Sequence, residues 1–112
     1  MLRLLLLRVV LLGSEEKIIM KESEIISAIK NYLKTVDDCF FYKTHGGTYS
    51  QAGIPDILCC LGGRFVALEV KNEKGKTTVL QEVTMRNIRK ASGTTEVVRS
   101  VDDVKRIIQE LR

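Results

Sequence analysis

Asp56, Glu69 and Lys71 are the residues of this 112-residue chain whose types and spacing suggest chemistry. They fall within GIPDILCCLGGRFVALEVK, Gly53 to Lys71, two apolar runs joined at Gly62-Gly63. Strands disfavour Asp, Glu and Lys, so three charges in an apolar hairpin need a reason. A two-residue turn centred on Gly62 and Gly63 suits a Gly-Gly pair. Counting outward from it, Leu61 faces Arg64, Cys59 faces Val66, and Asp56 faces Glu69. The two carboxylates then sit with Cβ atoms about 5 Å apart. Lys71 lies two residues beyond Glu69, on the same face of the strand. A four-residue turn on the same glycines keeps this pairing; a three-residue turn breaks it.

Like charges directly opposed destabilise a sheet. Three things can offset that: a carboxyl kept protonated by a raised pKa, pairing with Lys71, or a divalent cation bridging both acids. Hard oxygen ligands favour Mg²⁺ or Mn²⁺ over zinc. Alternatively, the charges are solvated at a frayed hairpin end. Against that, Leu68 and Val70 on one face, and Phe65 and Ala67 on the other, read as a strand covered on both sides. The chemistry that fits a cation beside an ammonium is phosphodiester hydrolysis. Lys43, Arg64, Lys74, Lys76 and Arg86 would then hold flanking phosphates.

Around the hairpin the expected elements follow from periodicity. Residues 21–34 form a helix, with Ile25, Ile29 and Leu33 on its inner face and Ile26 alongside. Cys39-Phe40-Phe41-Tyr42 is a short strand, followed by a glycine-rich loop, KTHGGTYSQAGIP. Asp56 to Leu61 and Arg64 to Lys71 are the hairpin strands. Residues 80–91 form a helix that buries Leu80, Val83, Ile88 and Ala91, turns Arg86, Arg89 and Lys90 outwards, and ends at Gly93. TTEVVRS is a further strand. Ser100 caps a last helix, with Asp103 three residues on and an apolar stripe of Val101, Val104, Ile107, Ile108 and Leu111. The order is helix, three strands, helix, strand, helix. That is an α/β chain with one mixed sheet flanked by helices, in which the third and fourth strands run parallel.

Composition is that of an ordinary globular protein, with 45% hydrophobic and 29% charged residues. The length fits one domain. A net charge of +4 is compatible with nucleic acid without implying it. Cys39, Cys59 and Cys60 lack Cys-x-x-Cys spacing and His45 is the lone histidine. They read as buried thiols of a reducing cytosol rather than zinc ligands. Residues 1–19, beginning MLRLLLLRVVLLGS, are too short an apolar run to span a bilayer, are broken by Arg8, and lack a small-residue cleavage site. They are an extra strand, a dimer contact, or an extension upstream of a natural start at Met20. The last is favoured. Residues 20–112 are the domain proper.

Pro55-Asp56 followed by Glu69-Val70-Lys71 resembles the motif of the PD-(D/E)xK nuclease superfamily. Together with KTHGGTYSQAGIPDIL, FVALEVK, TTVLQ and VVRSVDDV, the chain from about Met20 onward resembles the VRR-NUC family, in the small standalone form typical of phages and bacteria. The resemblance implies a restriction-endonuclease-like αβββαβ core with a C-terminal helix, and a metal-dependent DNA endonuclease. It implies that Asp56 and Glu69 hold Mg²⁺ or Mn²⁺, with the Val70 carbonyl, and that Lys71 is the catalytic lysine. An acid of the first helix completes the site. Glu22 shares the inner face of Ile25 and Ile29, whereas Glu24 lies about 200° further round, so Glu22 is favoured. Gln81 matches the family's glutamine, but Thr78-x-x-Gln81 is also a capping box. His45, Tyr49 and Gln51 are candidate DNA contacts in the loop. Standalone members resemble homodimeric enzymes acting on Holliday junctions or other branched DNA, and a two-fold dimer would match a junction's symmetry. The leucine-rich N-terminus or the exposed face of the first helix would make the dimer contact. The expected setting is a bacterial cytosol or phage-infected cell, with no membrane and no organic cofactor. Competing readings are a nuclease-fold DNA-binding protein without activity, and an interaction module; the second leaves the paired acids unexplained.

Overall fold

A computed structural model describes residues 7–12, 15–45 and 52–112. The central hairpin forms as its glycines dictate. Strands β4 (Ile57–Leu61) and β5 (Arg64–Val70) pair antiparallel from Leu61–Arg64 to Ile57–Leu68. Gly62 and Gly63 take φ of 54° and 83°, as a type I′ turn demands of both central residues. One step beyond the last pair, the same register sets Asp56 against Glu69. Asp56 itself lies just before β4, so the first hairpin strand is one residue shorter than expected.

Strand β3 (Cys39–Lys43) lies antiparallel to β4, and β6 (Thr94–Val98) lies parallel to β5. The sheet order is β3-β4-β5-β6, mixed as expected. Helices α1 (Glu22–Leu33) and α3 (Val101–Leu111) cover one face. There Ile25, Ile29 and Leu33 meet Val104, Ile107 and Ile108 over Ile57, Cys59, Leu61, Val66, Leu68, Val70 and Val98, forming the core. Ser100 caps α3 by accepting from the Asp103 N–H, and Asp103 accepts in return from Arg99 N–H.

Helix α2 (Val79–Lys90) joins β5 to β6 and packs on the opposite face, chiefly against β6. Its inner side differs from the expected one. Met85 is its buried residue, Gln81 and Ile88 are half-buried, and Leu80, Val83 and Ala91 face solvent. The cause is the surface beneath. That part of the sheet presents Glu69 and Thr95, so a mixed polar stripe fits it better than an apolar one. The end of α2 also differs. Ser92, not Gly93, takes the left-handed conformation, at φ 69°. Gly93 is needed for closeness instead: a Cβ there would lie 2.8 Å from Ile88 Cγ2 and 3.1 Å from Phe65 Cδ2.

Beyond α2, none of the described residues covers this second face of the sheet. Phe40, Cys60 and Phe65 align in one cross-strand row, and Tyr42, Leu58 and Ala67 in the next. Phe40, Tyr42 and Phe65 are exposed. The N-terminal segment forms a hairpin of its own, β1 (Leu7–Leu12) with β2 (Glu15–Met20), paired antiparallel and apart from the main sheet. Among the described residues, no helix is long and apolar enough to cross a membrane.

Candidate active site

Three elements bring the charged residues together. The two-residue turn fixes the Asp56–Glu69 register. The parallel β5–β6 pairing then carries β5 on past its last residue, where Lys71 N–H donates to Val98 O at 3.0 Å. Alternation along β5 sends Glu69 and Lys71 to the α2 side. Glu69 and Lys71 are both buried, and Lys71 Nζ lies 3.6 Å from Glu69 Oε2. An acid and an ammonium thus face each other with little water between them.

Asp56 is held from two sides. Its Oδ2 accepts from Val70 N–H at 2.8 Å, which ties it across the hairpin. Thr44 grips its backbone: Thr44 N–H donates to Asp56 O at 2.9 Å, while the Thr44 hydroxyl lies 2.9 Å from Pro55 O and 3.2 Å from Asp56 O. Sequence reading missed Thr44, although the β3–β4 register pairs Lys43 with Ile57 and so sets Thr44 opposite Asp56. Gly53 was missed also. Its φ is 85°, and a Cβ would meet Leu80 O at 2.7 Å and Thr84 Oγ1 at 2.9 Å, so the chain before Pro55 is pressed onto α2.

Gln81 forms the expected capping box and also reaches Glu69. Its Oε1 accepts from Thr78 N–H at 2.9 Å and its N–H donates to Thr78 Oγ1 at 3.1 Å, a complete capping box. Its Nε2 donates to Glu69 Oε2 at 3.1 Å. Glu69 Oε2 therefore has Gln81 and Lys71 beside it, while Oε1 is buried without a hydrogen-bond partner among the described residues. Burial, and then the neighbouring Asp56 charge, push the Glu69 carboxyl up to about 8, with Lys71 pulling the other way.

The two acids of α1 separate clearly. Glu24 is engaged at the helix start, where its Oε1 accepts from Lys21 N–H at 2.7 Å; Lys21 has no acceptor to return the bond. Glu22 turns towards the site. Both Glu22 Oε2 and the Lys71 stem border the bare face of Gly75, where a Cβ would lie 3.0 Å from the first and 3.2 Å from Lys71 Cδ. Among the described residues, no three His, Cys, Asp or Glu side chains gather closely enough to hold a metal unaided. The fit to a divalent cation rests on Asp56 and Glu69. A buried unpartnered carboxylate oxygen, next to a second carboxylate, is a hard-oxygen arrangement that a cation would satisfy.

The candidate DNA contacts are scattered by comparison. Lys43 is half-buried and its ammonium donates to Thr44 O. His45 is exposed, edge-on to Tyr42 with ring centroids 6.0 Å apart. Arg64, Lys74, Lys76 and Arg86 are exposed. Tyr49 and Gln51 lie outside the described residues.

No family model and no curated protein matches the sequence. Solved structures do match in shape. One, described as "VRR_NUC domain", is 24% identical with a TM-score of 0.66, over 79% of this chain and 94% of the other. A second, "VRR_NUC domain protein", is 19% identical with a TM-score of 0.67, over 80% and 86%. The mixed sheet, the covering helices and these likenesses together give the chain the fold of a VRR_NUC domain.

Proposed function

We propose that this protein is a metal-dependent DNA endonuclease acting on branched DNA, Holliday junctions foremost, as a homodimer. The observation that carries the reading is Asp56 set against Glu69, one step beyond the β4–β5 ladder and beside a buried Lys71, with one Glu69 oxygen that no described group hydrogen-bonds. Asp56 and Glu69 would hold Mg²⁺ or Mn²⁺, with the Val70 carbonyl and Glu22 as further ligands. A bound cation would polarise the phosphoryl group and ease the loss of a proton from water.

The chain's own residues do the rest. Val70 N–H and Thr44 fix the Asp56 carboxylate and its backbone, so the acid is set before substrate arrives. Gln81 orients Glu69 through Oε2 and leaves Oε1 directed elsewhere. Lys71 offers a buried ammonium whose field is little screened, suited to stabilising charge that grows on a phosphate. Lys43, Arg64, Lys74, Lys76 and Arg86, with His45, Tyr49 and Gln51, would contact the flanking strands.

The test is cleavage of a Holliday junction, a fork and a linear duplex, with Mg²⁺, Mn²⁺ or EDTA. Wild type should cut the junction with either metal and not with EDTA. Asp56→Ala and Lys71→Ala should lower the rate about 10²–10⁴-fold. A clean preparation that binds DNA but never cuts it would instead make this a nuclease-fold binding protein. Equal cutting of the linear duplex would remove the junction preference and keep the nuclease.

A further inference from the structure

The segment after Lys71 is tied down more firmly than a surface turn needs to be. Asn72 Oδ1 accepts from Lys74 N–H at 3.0 Å and from Gly75 N–H at 2.9 Å, which closes residues 72–75 into a tight turn. Arg99 then reaches across from the end of β6. Its Nη1 lies 2.5 Å from Asn72 O and 2.9 Å from Gly75 O, one donor group spanning both ends of the turn. Arg99 is itself anchored, because its backbone N–H donates to Asp103 Oδ2 at 2.8 Å at the start of α3.

The clamped turn has a purpose on its inner side. Gly75 lies directly against Lys71, and a Cβ would sit 3.3 Å from Lys71 Cβ, 3.2 Å from Lys71 Cδ and 3.0 Å from Glu22 Oε2. The turn therefore forms a wall against the Lys71 stem. Without such a wall, a four-carbon side chain next to an exposed turn has many rotamers to sample. The backbone partner of Lys71, Val98 O, belongs to the residue just before Arg99. One short stretch, Val98-Arg99, thus holds Lys71 through its main chain and through the turn beside it.

We propose that Arg99 is a positioning residue for Lys71, acting through the Asn72–Gly75 turn rather than touching DNA or metal. This rests on the nuclease reading for its kinetic consequence but not for its structural one, and the two are measured separately. The structural measure is the rate at which Lys71 of the full-length protein is acylated by an amine-reactive ester, followed by peptide mass spectrometry, with Lys105 as internal reference. Arg99→Gln should raise Lys71 labelling at least about fivefold and leave Lys105 within about twofold, because only the turn opens. Arg99→Lys should recover part of the protection by reaching one carbonyl.

The kinetic measure is junction cleavage. Arg99→Gln should lower kcat about 10–100-fold and raise KM by a much smaller factor, since Lys71 is displaced while, of the proposed DNA contacts, only Lys74 and Lys76 move with the turn. Should Arg99→Gln fail to fold, Asn72→Ala takes its place. It removes the side-chain acceptor that closes the same turn, so labelling should rise in the same way. Unchanged Lys71 labelling in a folded variant overturns the proposal whether or not the protein cuts DNA. A rise in KM with kcat unchanged overturns it too, since Arg99 would then be a DNA contact. A wild type that cuts nothing removes the nuclease reading and leaves the labelling result standing.

Discussion

Glu69 sets the pH behaviour of the site. Its carboxyl is pushed up to about 8 by burial and by Asp56, against about 4.3 in an unfolded chain. Any cation bound there must displace a proton until the pH nears 8. Calorimetric titration with Mn²⁺ should give affinity that rises about tenfold per pH unit from 6 to 7 and levels off above 8. Without metal the sign for stability is the reverse. The folded state holds the extra proton, so the stabilisation is complete below about pH 4 and is lost as pH rises towards 8. Melting of the metal-free protein should therefore show a falling component over that window. Glu69→Gln should remove it, because the amide never ionises. The residue-scale geometry was largely legible in advance: the Asp56–Glu69 pairing follows from counting across two glycines. Thr44 was not, since a threonine in a glycine-rich stretch looks like ordinary loop until the β3–β4 register sets it opposite Asp56.

At the scale of elements, α2 shows where pattern reading fails. Hydrophobic spacing selected Leu80 and Val83, which are 57% and 38% exposed, and passed over Met85, which is 2% exposed. A helix laid over a polar site can half-bury polar residues such as Gln81, so apolar spacing alone does not mark its inner side. α1 and α3 rest on an apolar face, and their stripes were read correctly. The end of α2 offers a clean test. Ser92 holds a left-handed conformation that costs a non-glycine residue about 1 kcal/mol. Ser92→Gly should raise stability by about that amount in urea unfolding. Gly93→Ala should lower it by about 1–3 kcal/mol, because its Cβ would overlap Ile88 and crowd Phe65. A destabilised Ser92→Gly would mean that the serine side chain contributes more than its backbone loses.

For the whole molecule, the open half of the sheet bears on assembly. α1 exposes Ser23, Ser27 and Asn31, a polar strip poorly suited to bury against a second copy. Phe40, Tyr42 and Phe65, by contrast, place exposed aromatic surface on β3 and β5, either side of β4. The homodimer we propose should use this face. Sedimentation should then give a dimer for wild type and a monomer for Phe40→Lys combined with Phe65→Lys, with a dimer dissociation constant weakened about 100-fold or more. If that double variant stays dimeric and a chain lacking residues 1–19 does not, the N-terminal hairpin is the contact instead. The hairpin illustrates a limit of sequence reading at this scale. Its leucines were visible and a strand was among the options, but the pairing of Leu7–Leu12 with Glu15–Met20 spans Gly13-Ser14, a weak turn signal among so many apolar residues.

The Gln81 amide has a consequence for how the site can be watched. Its oxygen is committed to the start of α2 and its nitrogen to Glu69. Turning the amide over would aim an oxygen at a carboxylate and an NH₂ at a peptide N–H, two repulsions at once. A Glu69 proton would relieve the first of these. The Gln81 side-chain NH₂ resonances are thus a built-in spectator. Their shift and linewidth should follow the loss of that proton and the arrival of a cation, with no label placed in the site itself.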